Sequence, residues 1–215
     1  SNHISKNAPA MHMESFYKKF STISGQKFDG FLITGAPIEH LDFEDVDYWT
    51  ELKEIFNWTQ TNVHSTMAVC WGAMAMMNFF YQIPKYPLKE KAFGCFEHKN
   101  LVPENKFLRG FADRVTVPVS RWSEVRQADI LRQTGLEILL LSDETGPCLI
   151  DDKNHNAVYM INHPEYDTLT LRSEYLRDKL LNNETKKPKY YFPNDDSAIA
   201  PINFWRSHGH LLYGN

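Results

Sequence analysis

Residues 65–81, STMAVCWGAMAMMNFFY, change their hydrophobic period in mid-run. The first part is a short apolar stretch of strand length. From Trp71 onward Gly, Ala and Met are followed by Phe79 and Phe80, which predicts a buried helix. A strand that passes into a helix with no loop between them leaves one residue, Cys70, at the switch. Unpaired N–H groups and the dipole at a helix N-terminus favour an anion there, and Gly72 lets the turn close tightly. Taken alone, a cysteine after an apolar strand is most simply a small core residue. The second reading is a nucleophile on a sharp strand-to-helix elbow, where the same N–H groups would stabilise the oxyanion of an attacked carbonyl.

The surrounding elements fit an α/β fold. KFDGFLITGAP (27–37) reads as a buried strand, Phe31 to Thr34, broken by Gly35 and Pro37. In FEDVDYWTELKEIFNW, residues Val46, Trp49, Leu52, Ile55 and Phe56 fall at helical spacing, with Glu44, Asp45 and Asp47 as its acidic N-terminus. Further strands are expected near 92–97, 114–118, 136–142, 147–150 and 157–162, and a helix over 166–181. Strand, helix, strand, helix early in the chain predicts a three-layer α/β/α domain. Its sheet is expected to be mostly parallel, with shorter antiparallel strands inserted in the middle. The composition is even throughout the 215 residues, so 1–215 is read as a single domain.

Several function classes are excluded by the same survey. Lys and Arg number 23 against 27 Asp and Glu, and no dense basic run interleaved with aromatics occurs, which argues against a nucleic-acid partner. No apolar run approaches bilayer length, and SNHISKNAPA lacks the apolar core of a signal peptide, so a cytoplasmic protein without a membrane partner is expected. The three cysteines, Cys70, Cys95 and Cys148, are widely spaced without a CxxC pair. That suggests neither a disulfide framework nor a metal site, and Cys95 and Cys148 are read as structural.

A thiolate nucleophile needs a base and a group to orient the base. AVYMINHPEYD (157–167) offers both. Its apolar strand runs out into His163-Pro164-Glu165, where the proline keeps His163 extended and residues two apart point the same way. Glu165 is thereby placed to orient the His163 imidazole. Both Cys70 and His163 fall at carboxyl ends of strands, where α/β sheets build their sites.

Five separated segments, FDGFLITGAP, VCWGAMA, YPLKEKAFGCFEH, HPEYD and WRSHGHLL, together resemble the homoserine O-acyltransferases (homoserine O-succinyl- and O-acetyltransferases), relatives of the class I glutamine amidotransferases. The resemblance extends over essentially the whole chain. It implies a class I glutamine amidotransferase-like (flavodoxin-like) fold and a homodimer. The chain would lack the family's N-terminal segment and C-terminal end. It also implies a ping-pong reaction in methionine biosynthesis: an acyl group passes from coenzyme A to Cys70 as a thioester, then to the hydroxyl of L-homoserine. His163 becomes the general base and Glu165 its partner. Lys91, Ser120 and Arg177 match substrate-contacting positions, Arg177 as a fork for the amino acid carboxylate. Glu39, after GAP, matches the position linked to acyl choice. A glutamate there goes with acetyl-CoA and a glycine with succinyl-CoA, because a carboxylate fills space and repels the succinyl terminus. No bound cofactor is implied, acyl-CoA being a co-substrate.

Met74, Val119 and Asn162 depart from residues common in the family (glutamine, histidine and glycine), which leaves L-serine beside L-homoserine as acceptor. One methylene separates the two, worth about 1–3 kcal/mol. A glutamine amidohydrolase using the same Cys-His-Glu set is a rival, as is a non-catalytic protein with Cys70 as a redox sensor. Lys91, in a Lys-Glu-Lys stretch, also suits an ordinary solvated face, and Arg177, late in a helix, also suits the helix dipole. Arg206 and His208 in WRSHG either line the site or anchor the chain end.

Overall fold

A strand buried at every residue, β7 (Ala157–Met160), lies in the interior of the sheet, which extends from it on both sides. The computed structural model describes residues 17–215. The stretch SNHISKNAPA, read above as lacking a leader's apolar core, lies outside them. The other strands are β1 (Phe28–Ile33), β2 (Val63–Val69), β3 (Tyr86–Asn100), β4 (Arg114–Glu124), β5 (Leu136–Ser142) and β6 (Gly146–Asp152), and the sheet order is β1-β2-β7-β6-β5-β3-β4. The described helices are α1 (Phe20–Ile23), α2 (Trp49–Asn62), α3 (Trp71–Tyr81), α4 (Gln127–Leu131), α5 (Thr170–Leu181) and α6 (Arg206–Gly214). None of them is long and apolar enough to cross a membrane.

The expectation of a mostly parallel sheet is corrected. Among the described strands, only β1–β2 and β2–β7 pair in parallel, whereas β6–β7, β5–β6, β3–β5 and β3–β4 are antiparallel. Connection length is the physical reason. Residues 143–145 and 153–156 are too short for a crossover, which needs a dozen residues or more, so β5, β6 and β7 must run as hairpins. The positive φ of Gly146 and Asn156 closes those turns. By contrast, α2 carries the chain from β1 to the parallel β2, as the early strand-helix-strand pattern requires.

Both faces of the sheet are covered, giving three layers. On one face Ala68, Ile150, Tyr159 and Ile161 pack with Phe56 of α2, Met76 of α3 and Ile130 of α4. On the other, Val69, Val158, Met160 and Leu149 meet Leu108 and, from α6, Leu212. A third cluster joins Phe93 and Cys95 of β3 to Leu171 and Tyr175 of α5 and to Trp205. The acidic run begins a 3-10 turn, Phe43–Asp45, rather than the long helix, which starts at Trp49. Helix α3 ends at Gln82 in the left-handed conformation, with Pro84 following.

Candidate active site

Cys70 sits between the last residue of β2 and the first of α3, with φ 53° and ψ −121°. A non-glycine residue in this region carries backbone strain, which the surroundings must hold. Here its N–H donates to Met160 O of β7 at 2.7 Å and its C=O accepts from Met74 N at 3.2 Å. Two glycines permit the close approach. A Cβ on Gly72 would lie 2.8 Å from Thr34 O, and one on Gly35 would lie 3.0 Å from the Cys70 Cβ. The first N–H groups of α3 have no intrahelical acceptor, so the helix start beside Cys70 favours an anion.

The strand that anchors the Cys70 backbone also delivers the base. After Met160 the chain leaves β7 and places His163, whose N–H donates to Pro118 O at 2.9 Å. Its Nδ1 is hydrogen-bonded to Glu165 Oε1 at 2.7 Å, leaving Nε2 for the hydrogen bond to the Cys70 sulfur. Burial alone would depress the His163 pKa. The bonds to Cys70 and Glu165 outweigh it and raise the pKa to about 10. Tyr166 stacks on the imidazole with ring centroids 4.3 Å apart and 17° between planes, closing it from above. The three residues read from the sequence as nucleophile, base and orienting acid are therefore brought together, and all three line one cleft of about 1410 Å³.

Lys91, Ser120 and Arg177 line the same cleft. Two of them gather on a carboxylate that sequence reading missed, Glu174 of α5. It accepts from Ser120 Oγ, from Tyr166 OH at 2.7 Å and from Lys91 Nζ at 3.3 Å. Lys91 also reaches Asp178 at 2.9 Å, and Arg177 holds that same carboxylate through Nε and Nη2 at 2.9 and 2.7 Å. Paired cations lower the Asp178 pKa despite the opposing effect of burial. Glu174 and Asp178 are spaced i, i+4, so both project from one helix face. That spacing was a usable signal, hidden because acids on a late helix also suit a solvated surface.

Glu39 lines the cleft as well. Its Oε2 accepts from Trp122 N at 2.8 Å and Ser123 Oγ at 2.7 Å, and Ser123 Oγ lies 3.4 Å from Met74 Sδ, one turn along α3 from Cys70. Cys95 and Cys148 are buried, and burial pushes each thiol up to about 12. Arg206 and His208 anchor the chain end: Arg206 Nη2 donates to Thr168 Oγ1 at 3.0 Å, His208 Nδ1 lies 3.1 Å from Thr116 O, and neither lines the cleft. Gly209 in the same segment lets α6 press on the Pro164 carbonyl, where a Cβ would come within 2.5 Å. Among the described residues no group of three or more His, Cys, Asp or Glu side chains is placed to hold a metal ion.

Known proteins match both the fold and the whole sequence. Two solved glutamine amidotransferases share the fold. That from Thermotoga maritima has a TM-score of 0.61 at 14% identity, covering 85% of this chain and 73% of its own. That from Methylobacillus flagellatus has a TM-score of 0.59 at 10% identity, covering 84% and 72%. Sequence similarity is far closer to two proteins named homoserine O-acetyltransferase. The one from Roseobacter denitrificans is 58% identical over 100% of this chain and 70% of its own, and the one from Dinoroseobacter shibae is 56% identical over 99% and 70%. The family model described as homoserine O-succinyltransferase matches residues 1–215. A glutamine amidotransferase-like scaffold with a full-length match of this kind places the chain in the homoserine O-acyltransferase family.

Proposed function

We propose that the protein is an acetyl-CoA-dependent homoserine O-acetyltransferase of methionine biosynthesis, acting in the cytoplasm through a Cys70 thioester. The observation that carries this reading is the linked set Cys70, His163 and Glu165 lining a cleft much larger than an amino acid requires. The Cys70 sulfur attacks the acetyl carbonyl of the thioester, and the developing oxyanion is met by N–H groups at the start of α3. His163, protonated in the resting pair, gives its proton to the departing coenzyme A thiolate. The neutral imidazole then takes the proton from the acceptor hydroxyl as that oxygen attacks the acyl-enzyme, and ester forms while the Cys70 thiolate departs. Atoms and charge return to the starting state.

The acceptor is a zwitterion, and the cleft wall offers both signs of charge. Arg177 suits its carboxylate, and the Glu174–Asp178 pair suits its ammonium. The names of the relatives favour L-homoserine over L-serine. A glutamine amidohydrolase would use the same three residues, but sequence identity of 54–58% to homoserine O-acetyltransferases, against 14% or less to the two amidotransferases, favours acyl transfer.

Glu39 is held by two donors, so its carboxylate is a fixed wall beside the acyl site rather than a mobile side chain. Glu39→Gly removes that bulk and charge and is expected to move donor preference toward succinyl-CoA by about tenfold or more in kcat/KM ratio. Initial rates with both donors, and with L-homoserine and L-serine in turn, check it. An unchanged donor ratio removes the role given to Glu39, and turnover of neither amino acid removes the proposed activity.

A further inference from the structure

Four lysines, Lys89, Lys186, Lys187 and Lys189, line the cleft that holds Cys70, and the catalytic steps use none of them. Three lie on the segment 186–189, which is fixed rather than loose. Lys189 N donates to Phe93 O and Cys95 N donates to Lys189 O, both at 2.9 Å, so the segment runs along β3 as a short parallel bridge. Gly94 makes the approach possible. Its φ of +145° suits glycine, and any Cβ there would collide with the Lys189 backbone.

The lysine ammoniums are available to a stronger acceptor. Lys186 Nζ meets Glu90 Oε1 at 2.8 Å with side chains 76% and 70% exposed, and Lys189 Nζ stands 3.6 Å from Glu144 Oε2. Lys89 has no ion-pair partner among the described residues. Only Lys187, which donates to the Asp195 carboxylate at 2.7 Å and to its backbone carbonyl, is tied into the segment's own structure. Exposed Lys–carboxylate pairs contribute little and are screened by salt, whereas a phosphate offers more charge and more acceptor oxygens to the same ammonium. Across its whole lining the cleft carries seven carboxylates against five lysines and Arg177. Glu39, Glu174 and Asp178, however, are held by donors from the protein and Glu165 by His163, so the lysines of this segment are the cations left to an incoming anion.

Cleft size points the same way. Its volume of about 1410 Å³ exceeds the range of roughly 300–1,000 Å³ common for small-ligand sites. An acetyl group and an amino acid leave most of it unfilled. A thioester whose carbonyl lies at Cys70 must extend its long arm through the remainder and bring its phosphates to the rim.

We infer that Lys89, Lys186 and Lys189 form a subsite for the phosphorylated nucleotide end of the acyl donor, an inference that rests on the acyl-CoA reading above. The test compares two donors, acetyl-CoA and S-acetylpantetheine, which lacks the nucleotide and its phosphates. In a Lys89→Gln, Lys186→Gln, Lys189→Gln variant, the kcat/KM ratio of acetyl-CoA to acetylpantetheine is expected to fall about tenfold or more, mainly through KM for acetyl-CoA. Added salt narrows the ratio in the parent protein and much less in the variant. An unchanged ratio, including an equal loss with both donors, overturns the subsite. Parent protein that turns over neither thioester removes the acyltransferase reading and this inference with it.

Discussion

Cys70→Ala is expected to abolish acyl transfer, with kcat reduced by about 10⁴-fold or more, because residues that act as a unit lose nearly all their advantage when the nucleophile is removed. On the proposed reading the elbow presents this one sulfur to the cleft. Its backbone is held at φ 53° by bonds to Met160 O and Met74 N, Gly35 has no side chain where a Cβ would press on Cys70, and Gly72 has none where a Cβ would press on Thr34 and Ile33. Alanine keeps the backbone and deletes only the reacting atom, so circular dichroism and thermal unfolding are expected to change little. Steady-state rates with acetyl-CoA and L-homoserine check the loss. Retention of more than a few per cent of parental kcat would mean that the acyl group reaches the acceptor without passing through this residue.

His163→Gln is expected to lower kcat/KM by about 10³-fold, within the usual range for a positioned acid–base group. The parent protein carries a pH signature that the variant lacks. Hydrogen bonds to the Cys70 sulfur and Glu165 hold the imidazole protonated, with a pKa raised to about 10 against the opposing effect of burial. On the proposed mechanism, the proton for the leaving coenzyme A thiolate is therefore present at neutral pH and is lost as pH rises through about 10. Thioester formation should weaken across that window in the parent and show no such limb in the glutamine variant. Imidazole titration followed by nuclear magnetic resonance gives an independent reading. Cys70→Ala should move the His163 midpoint downward, because it removes the first of the bonds that raise it. A His163 midpoint near the ordinary histidine value in the parent would contradict the pairing.

The candidate site was legible because much of its geometry is local. Cys70 lies at a change of hydrophobic period, and Glu165 lies two residues from His163 in an extended stretch, so short-range geometry alone brings imidazole and carboxylate together. The partnership of Cys70 with His163 is not local. It depends on β2 and β7 being neighbours, and the expectation that both site residues fall at carboxyl ends of strands was enough to anticipate it. Sheet direction was less legible. The apolar runs of β5, β6 and β7 resemble parallel strands because both faces are covered, and only the three- and four-residue connections reveal the hairpins. Glu174 was hidden for another reason. Tyr166 lies only eight residues before it, but Ser120 and Lys91 come from distant stretches of chain, and no spacing within the sequence links those two to α5. Arg206 and His208 illustrate the converse: polar residues in a distinctive motif whose contacts serve to seat α6 under the turn that carries His163.

Intact-protein mass spectrometry after mixing with acetyl-CoA, with no acceptor present, tests the covalent step most directly. A single acetyl adduct is predicted, mapped by peptide digestion to Cys70, discharged on adding L-homoserine and absent from Cys70→Ala. An unmodified protein that nevertheless turns over acetyl-CoA and homoserine together, or an adduct that maps elsewhere and still discharges, would contradict the thioester mechanism.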